Sequence, residues 1–230
     1  VYKRQLWRCS HDHLKMSNYF ILMAAGSGVR MDSELPKQFI DVKGLPIVIH
    51  TYNKIKDLEN TKFIFVLPFD NFSKWEMLIR QHAGDNVVIV RGGKERNLSV
   101  KNGINAVVDN SGYVAIHDGV RPFINKTFIE KLFEEAKGKG NAVPFTRSSN
   151  SMRRIDRENN FGVDRSEFVQ IQTPQVFRVS ELKKCIKDAP DKNFTDESSL
   201  FDEFNIKINL VEGLNENIKI TTRKDLKFFD

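Results

Sequence analysis

Two glycine loops and a scattered set of cations are the parts of this sequence best suited to chemistry. The first loop follows a short apolar run and joins small residues to two cations: Ala24, Ala25, Gly26 and Gly28, then Arg30 and Lys37. Glycines let main-chain N–H groups approach an anion closely, and fixed cations beside them neutralise its charge. The pattern predicts a cradle for a nucleoside triphosphate.

Three other kinds of glycine loop fit this segment less well. The dinucleotide fingerprint needs a third glycine where Met31 stands, and a helix that Pro36 would interrupt. A P-loop is excluded because no Gly-x-x-x-x-Gly-Lys-Ser/Thr occurs in the chain. A solvent-exposed turn between a strand and a helix stays open, although it does not explain the flanking Arg30 and Lys37.

A second glycine loop, residues 91–99, opens a predicted helix and carries Gly93 and Ser99. The amino terminus of a helix offers unpaired N–H groups, and a hydroxyl can hydrogen-bond the edge of a base. Spacing alone fits a second interpretation equally well. Gly92 and Gly93 would then form a turn that ends a strand, and Ser99 would be a solvated helix residue.

Asp118 follows an apolar run in the sequence His-Asp-Gly-Val-Arg. A carboxylate at the end of a strand, facing a triphosphate, suits Mg²⁺, which takes few carboxylates together with phosphate oxygens. Arg121, three residues further on, can clamp a phosphate with two N–H groups. A capping role for Asp118 stays open, and His117 is more simply explained as a packed residue than as a general base.

Lys219 alternates with two apolar residues, Ile218 and Ile220. In a strand it points away from both, so it can face a site while they pack. A solvated strand lysine is the alternative interpretation.

The scaffold that positions these residues is predicted to be α/β. Apolar runs at 19–23, 63–67, 87–90, 114–117 and 142–145 have the length of strands, and they alternate with helical segments near 44–56, 72–82, 98–108 and 126–137. This alternation is typical of a Rossmann-like, mostly parallel sheet with helices on both faces. The loops at 24–37, 91–97, 117–123 and 145–151 then leave the carboxyl ends of strands, where such sheets bind ligands. Helices near 180–187 and 196–204 and a strand near 207–211 complete the pattern.

Residues 147–172 interrupt the alternation and are predicted to form a protruding β-hairpin arm. A polar, turn-rich centre at 156–162 lies between strand-like runs. The apolar residues of the arm would be exposed on a monomer: Ile155, Phe161, Val163, Phe168 and Ile171. Exposed apolar surface of this kind indicates a covering partner.

Composition excludes several classes of protein. No run of about 18 apolar residues occurs, so no membrane span is predicted, and no basic stripe interleaved with aromatics indicates nucleic acid. Cys9 and Cys185 form no Cys-x-x-Cys pair, which fits a reducing, cytoplasmic compartment. Residues 1–17 carry half of the net charge of +6 without apolar periodicity. They are interpreted as a disordered or non-native leader before a single domain, 18–230.

Six ordered segments resemble one enzyme family. They are AAGSGVRM with LPKQF at 24–39, HDGVRPF at 117–123, VDR at 163–165, QTPQVF at 172–177, TDESS at 195–199 and VEGLNENIKIT at 211–221. Together they resemble the cytidylyltransferases, closest to the 2-C-methyl-D-erythritol 4-phosphate cytidylyltransferase family, over about residues 19–230. Six motifs in order are far more specific than one glycine loop.

The resemblance implies transfer of CMP from CTP to 2-C-methyl-D-erythritol 4-phosphate, with Mg²⁺ as the cofactor and a homodimer formed through the arm. Ribitol 5-phosphate is the alternative acceptor, and a nucleotide-binding regulator without catalysis or a dehydrogenase are alternatives of other classes. The implied catalytic residues are Arg30, Lys37 and Lys219. Those implied for CTP are Ala24, Ala25, Gly26, Gly28, Gly93 and Ser99, and those for the acceptor are Asp118, Arg121, Ser151 and Arg165, with Asp118 also the metal ligand.

One position departs from the family pattern. Family members usually carry Asp-Thr where this chain has Asn150-Ser151. A hydroxyl is kept at Ser151, so hydrogen bonding to a phosphate stays available, whereas the carboxylate at position 150 is lost.

Overall fold

The computed structural model describes residues 17–26, 35–189 and 194–229. Gly28, Arg30 and all but the last residue of the predicted leader lie outside these ranges. The strands are β1 (Asn18–Met23), β2 (Asp41–Val42), β3 (Leu45–Pro46), β4 (Thr61–Leu67), β5 (Val88–Arg91), β6 (Tyr113–Asp118), β7 (Asn141–Arg147), β8 (Met152–Asp156), β9 (Asn159–Val163), β10 (Val169–Ile171), β11 (Gln175–Arg178) and β12 (Leu210–Glu212). The helices are α1 (Ile47–Asn53), α2 (Phe72–Ala83), α3 (Arg96–Asn105), α4 (Lys126–Lys139), α5 (Val179–Asp188) and α6 (Glu197–Asp202), with 3-10 turns at Lys37–Phe39, Arg165–Glu167 and Arg223–Phe229.

One large sheet organises the described residues, in the order β10-β7-β11-β6-β1-β4-β5, with β12 beside β7. β1 lies parallel to β4 and β6, and β4 lies parallel to β5. β11 runs antiparallel to both β6 and β7, so β7 points the same way as β6. The sheet is therefore mostly parallel, as predicted, with β10 and β11 as its antiparallel members.

The central strand β1 shows why helices cover both faces. Phe20 and Leu22 belong to one apolar core, and Tyr19 and Ile21 belong to another, because successive side chains of a strand point to opposite faces. The first core is closed by α1, α2 and α4, and the second by α3, α5 and α6. A strand buried on both faces is a continuous apolar run, which is the signal its sequence carries.

The parallel arrangement places the four loops at one edge of the sheet. The chain leaves β1 at Ala24, β5 at Gly92, β6 at Gly119 and β7 at Ser148. These are the carboxyl ends of strands that all run in one direction. The prediction of a shared edge is confirmed.

The arm is shorter than predicted. Its hairpin consists of β8 and β9, paired from Met152↔Val163 to Asp156↔Asn159. After the hairpin the chain returns to the large sheet, where Ile171 pairs with Phe145 of β7. The prediction that Ile171 is exposed is therefore wrong, because it packs against the second core.

The outer part of the hairpin does expose apolar side chains. Ile155 is 80% exposed and Phe161 is 55% exposed, while Phe168, at the base of the arm, is 42% exposed. Val163 is only half-buried.

Two further elements differ from the sequence prediction. The helix expected from residue 44 begins only at Ile47, because β2 and β3 form a small hairpin before it. The described residues around Lys219, 213–221, form no strand. Within the described ranges no helix has the length and apolar character needed to cross a membrane.

Candidate active site

A cavity of about 920 Å³ opens at the carboxyl edge of the sheet. Seven predicted site residues line it: Ala25, Gly26, Lys37, Gly93, Ser99, Asp118 and Lys219. Ala24, the residue before Ala25, is buried and does not line the cavity. Arg121 does not line it either, but its Nε donates to the Asp118 carboxylate. The structure thus brings together residues from four separate parts of the sequence.

The backbone of the first loop is held by a buried amide. Gln38 donates from Nε2 to the carbonyl oxygens of Ala24, at 2.6 Å, and of Gly26, at 2.9 Å. Ala24 N in turn donates to Val66 O at 2.9 Å. Gln38 is 2% exposed, and its bond to Ala24 O is shielded from water, while the bond to Gly26 O is partly buried. Sequence reasoning did not assign Gln38 to the site, although the residue lies in the quoted LPKQF segment.

Lys37 reaches across the cavity to the C-terminal part of the chain. Its ammonium donates to Ile220 O at 3.0 Å. The residue that follows the triphosphate loop is therefore in direct contact with the segment that carries Lys219.

The second glycine loop packs against the first. Gly92 N donates to Leu67 O at 2.7 Å, and a Cβ placed on Gly92 would lie 2.6 Å from Ala25 Cβ. Any side chain at position 92 would therefore force the two loops apart.

The Ser99 hydroxyl bonds the backbone of the second loop at two points. Its Oγ accepts from Gly93 N at 3.0 Å and donates to Glu95 O at 3.0 Å. The side chain is 3% exposed, so the interpretation as a solvated helix residue is wrong. In this structure Ser99 fixes the shape of the loop that lines the cavity.

Asp118 is the centre of the charged groups in the cavity. Its Oδ2 accepts from Lys219 Nζ at 3.0 Å and from Arg121 Nε at 3.1 Å. Burial by itself would raise the pKa of the carboxyl, but the Lys219 ammonium and the Arg121 guanidinium hold that pKa well below its usual range. Asp118 is therefore ionised at neutral pH and orients two cations.

The segment around Lys219 adopts the predicted alternation without being a strand. Ile220 is fully buried, and its N–H donates to Val120 O at 2.9 Å. Arg121 Nη1 donates to Asn217 O at 2.9 Å. The prediction of a strand is wrong because these contacts join the segment to the loop after β6, not to a neighbouring strand. The predicted direction of Lys219, into the site, agrees with its contact with Asp118.

His117 is a packed residue beneath Asp118. Its side chain is fully buried, Nε2 donates to Arg121 O at 3.1 Å, and Nδ1 accepts from Thr173 Oγ1 at 2.9 Å. Thr173 Oγ1 also accepts from Asp118 N at 3.1 Å. Burial, with a smaller contribution from the nearby Arg121, lowers the pKa of His117 to about 4 against the opposing effect of Asp118. The ring is neutral, with both nitrogens engaged, which argues against a general base.

Ser151 and Arg165 do not join the cavity within one copy of the chain. Both side chains are exposed near the base of the arm, and Arg165 Nη1 donates to Ser149 O. Neither belongs to the cavity lining.

An ion pair between a partly exposed arginine and a buried carboxylate, at the wall of the cavity, was missed by sequence reasoning. Arg96, in the cavity wall, pairs with Glu197, whose side chain has no exposed surface. Burial by itself would lower the pKa of the Arg96 guanidinium, but the Glu197 carboxylate raises it above its ordinary value. The two residues lie in the quoted second loop and in TDESS, but nothing in either segment alone indicates that they meet.

A parallel sheet with two glycine loops and opposed cations around one cavity at its carboxyl edge defines a nucleotide-handling α/β protein of the nucleotidyltransferase class. Comparisons with known proteins specify the family. The family model for 2-C-methyl-D-erythritol 4-phosphate cytidylyltransferase matches residues 19–229. The chain belongs to this family.

Individual relatives agree. The proteins of that name from Porphyromonas gingivalis and Bacteroides fragilis are 37% and 38% identical, over 93% and 90% of this chain and 96% and 95% of their own. The crystal structure of 4-diphosphocytidyl-2C-methyl-D-erythritol synthase from Anaerococcus prevotii matches with a TM-score of 0.80 at 29% identity, covering 93% of this chain and 94% of that one.

Proposed function

We propose that the protein transfers CMP from CTP to 2-C-methyl-D-erythritol 4-phosphate and releases pyrophosphate, a step in isoprenoid precursor synthesis. Family membership over residues 19–229 supports this acceptor. The observation that carries the chemistry is the single cavity in which Lys37 and Lys219 lie with Asp118 beside both glycine loops.

The reaction needs charge compensation more than proton transfer. A phosphate monoester is largely dianionic at neutral pH, since its second pKa is about 6, so its oxygen can attack the α-phosphorus of CTP without a general base. Lys37 and Lys219 supply positive charge where the triphosphate and the acceptor repel each other, and where charge builds on the departing pyrophosphate. Asp118 holds Lys219 in place for this task. We assign Arg30, which lies outside the described residues, to the same task by its place in the loop.

The residues present fit Mg²⁺ bound mainly by substrate. Asp118 Oδ2 is occupied by two cations, which leaves Oδ1 for a metal. No group of three metal-ligating side chains occurs within the described ranges, and Mg²⁺ commonly takes one or two carboxylates plus substrate phosphates. When bound by Asp118 and the triphosphate, the ion would neutralise charge on the pyrophosphate.

We assign the acceptor phosphate to Arg165 and Ser151 of a second copy of the chain. Both residues lie outside the cavity of their own copy, and the adjoining hairpin exposes Ile155 and Phe161. A homodimer formed through the arm covers these apolar side chains and carries Arg165 to the partner's site. The proposed location is the cytoplasm.

Pyrophosphate release tests the proposed reaction. The protein is assayed with CTP and Mg²⁺ against 2-C-methyl-D-erythritol 4-phosphate, ribitol 5-phosphate and other polyol phosphates, and with UTP, ATP and GTP in place of CTP. We expect release only with CTP and with the methylerythritol phosphate as the best acceptor. A preference for ribitol 5-phosphate would change the assigned acceptor, and equal rates with all four nucleotides would contradict the role of Gly93 and Ser99.

Lys219→Ala tests the role of the cations. The matched control is Lys139→Ala, which removes the same charge from the end of α4, at the opposite edge of the sheet. Wild-type activity in Lys219→Ala would contradict the electrostatic mechanism.

A further inference from the structure

A buried carboxylate outside the cavity, that of Glu197, binds an arginine of the second glycine loop. Glu197 is the first residue of α6, and its side chain has no exposed surface. Its oxygens accept from Arg96 Nη1 at 2.6 Å and from Arg96 Nη2 at 3.1 Å. Arg96 is the first residue of α3 and lines the cavity, with 33% of its side chain exposed. Glu197 thus ties a helix outside the cavity to one that borders it.

The first turn of α6, which carries Glu197, is fixed by hydrogen bonds. Asp196 caps α6 by accepting from Ser199 N at 2.9 Å, and Ser198 N donates to the buried Gln175 Oε1 at 2.9 Å. Two parallel N–H···O bonds fix the plane of a guanidinium as well as its distance. Glu197 therefore sets the orientation of the arginine.

Arg96 lies within the loop that faces the nucleotide. Gly93 N and Glu95 O are joined through Ser99 Oγ, so the residues before and after Arg96 form one closed unit. A displacement of Arg96 must therefore move this unit. Arg96 and Asp118 also interact electrostatically, so the position of Arg96 affects both the loop and the charged residues around Asp118.

We propose that Glu197 is a positioning residue for CTP. Its carboxylate orients Arg96 and thereby fixes the Gly92–Ser99 loop in the geometry that discriminates cytosine from other bases. The inference rests on the proposed function, because it assigns this loop to the base of CTP.

Glu197→Gln tests the role, since glutamine keeps the size of the side chain and one acceptor oxygen but removes the charge. We expect the Kd and KM for CTP to rise roughly ten-fold or more. A hydrogen bond to a charged group contributes enough free energy for a change of that size in Kd, if its loss lets Arg96 and the loop move out of the binding geometry. The preference for CTP over UTP should fall, with a smaller change in kcat at saturating CTP. Arg96→Lys, which keeps the charge but loses the planar fork, should change Kd in the same direction. The double variant should be no worse than the worse single one, because the pair acts as a unit.

Phe201→Leu is the matched structural control. Phe201 lies one turn after Glu197 in α6 and packs against Phe177 at 4.6 Å between ring centres, and it takes no part in the hydrogen bonds between Glu197 and Arg96. This variant should lower Tm and leave CTP binding unchanged, with all measurements made well below the melting temperatures.

The outcomes separate the two proposals. If the wild type binds CTP but Glu197→Gln binds it equally well and keeps its selectivity, the positioning role is overturned alone. The same follows if Phe201→Leu, at an equal loss of Tm, reproduces the loss of CTP affinity. If the wild type binds no CTP by calorimetry, the proposed function and the positioning role both fail.

Discussion

The buried His117 should make the stability of the protein depend on pH well above the range in which carboxylates titrate. Its pKa is about 4 in the folded protein, whereas an exposed histidine has a pKa of about 6.5. As the pH falls, the unfolded chain therefore takes up a proton on His117 before the folded chain does. The contribution of His117 to the free energy of unfolding is therefore greatest above about pH 6.5, falls between that pH and about 4, and levels off below.

The two pKa values set the size of the effect. Between pH 7 and pH 5, His117 alone should reduce the free energy of unfolding by about 2 kcal/mol. Asp118 contributes little in this window, because its carboxyl titrates at a pKa of about 3.9 even in the unfolded chain, and its pKa in the folded protein is lower still. Arg121 stays charged throughout. The physical source of the loss is the burial of the ring, which cannot be solvated when charged.

Urea unfolding followed by circular dichroism at pH 7, 6 and 5 measures this effect in the wild type and in His117→Gln. The substitution will alter stability at pH 7 as well, so the informative quantity is the change with pH within each protein. We expect the pH-dependent loss to be smaller in His117→Gln by about 2 kcal/mol. His82→Gln, which changes an exposed histidine on α2, is the matched control. An equal loss in wild type and His117→Gln would refute the reasoning.

Three further predictions concern the site. Lys37→Ala should lower kcat by about 10²–10³-fold with little change in KM, because the lysine charge stabilises the transition state more than it stabilises bound CTP. A rise in KM alone, in steady-state kinetics, would contradict this. Arg165→Ala should raise the KM for the sugar phosphate and not that for CTP. At a sugar phosphate concentration far below that raised KM, a mixture of Arg165→Ala and Lys37→Ala chains should regain about a quarter of wild-type activity through hybrid dimers with one intact site; no recovery after subunit exchange would place Arg165 in its own copy's site. Gln38→Ala should cost about 1–3 kcal/mol in urea unfolding, because the buried carbonyl of Ala24 and the partly buried carbonyl of Gly26 lose their donor, and it should weaken CTP binding; unchanged CTP affinity would show that the loop holds its shape without the amide.

The sequence alone determined the fold class and the edge of the sheet that carries the site. The apolar run of β1 is continuous because both of its faces are buried, and that pattern is visible without a structure. The glycines at 92 and 93 and the carboxylate at Asp118 are placed by the strands that precede them. The alternation of apolar and polar residues around Lys219 correctly predicted that its side chain faces the site, even though no strand forms there. Ile220 is buried, and in an extended segment the residue before it must then point away from the core.

Tertiary structure decided which distant residues meet. Lys37 contacts Ile220 O across 183 positions, and Arg96 pairs with Glu197 across 101. Local periodicity reports which face a side chain takes, but not which loop lies opposite. Where the arm ends was likewise undetermined, because Ile171 is apolar both in a hairpin and in a sheet. These contacts depend on the order in which the strands pair. That order is set by the packing of both cores together, and no local sequence pattern reports it.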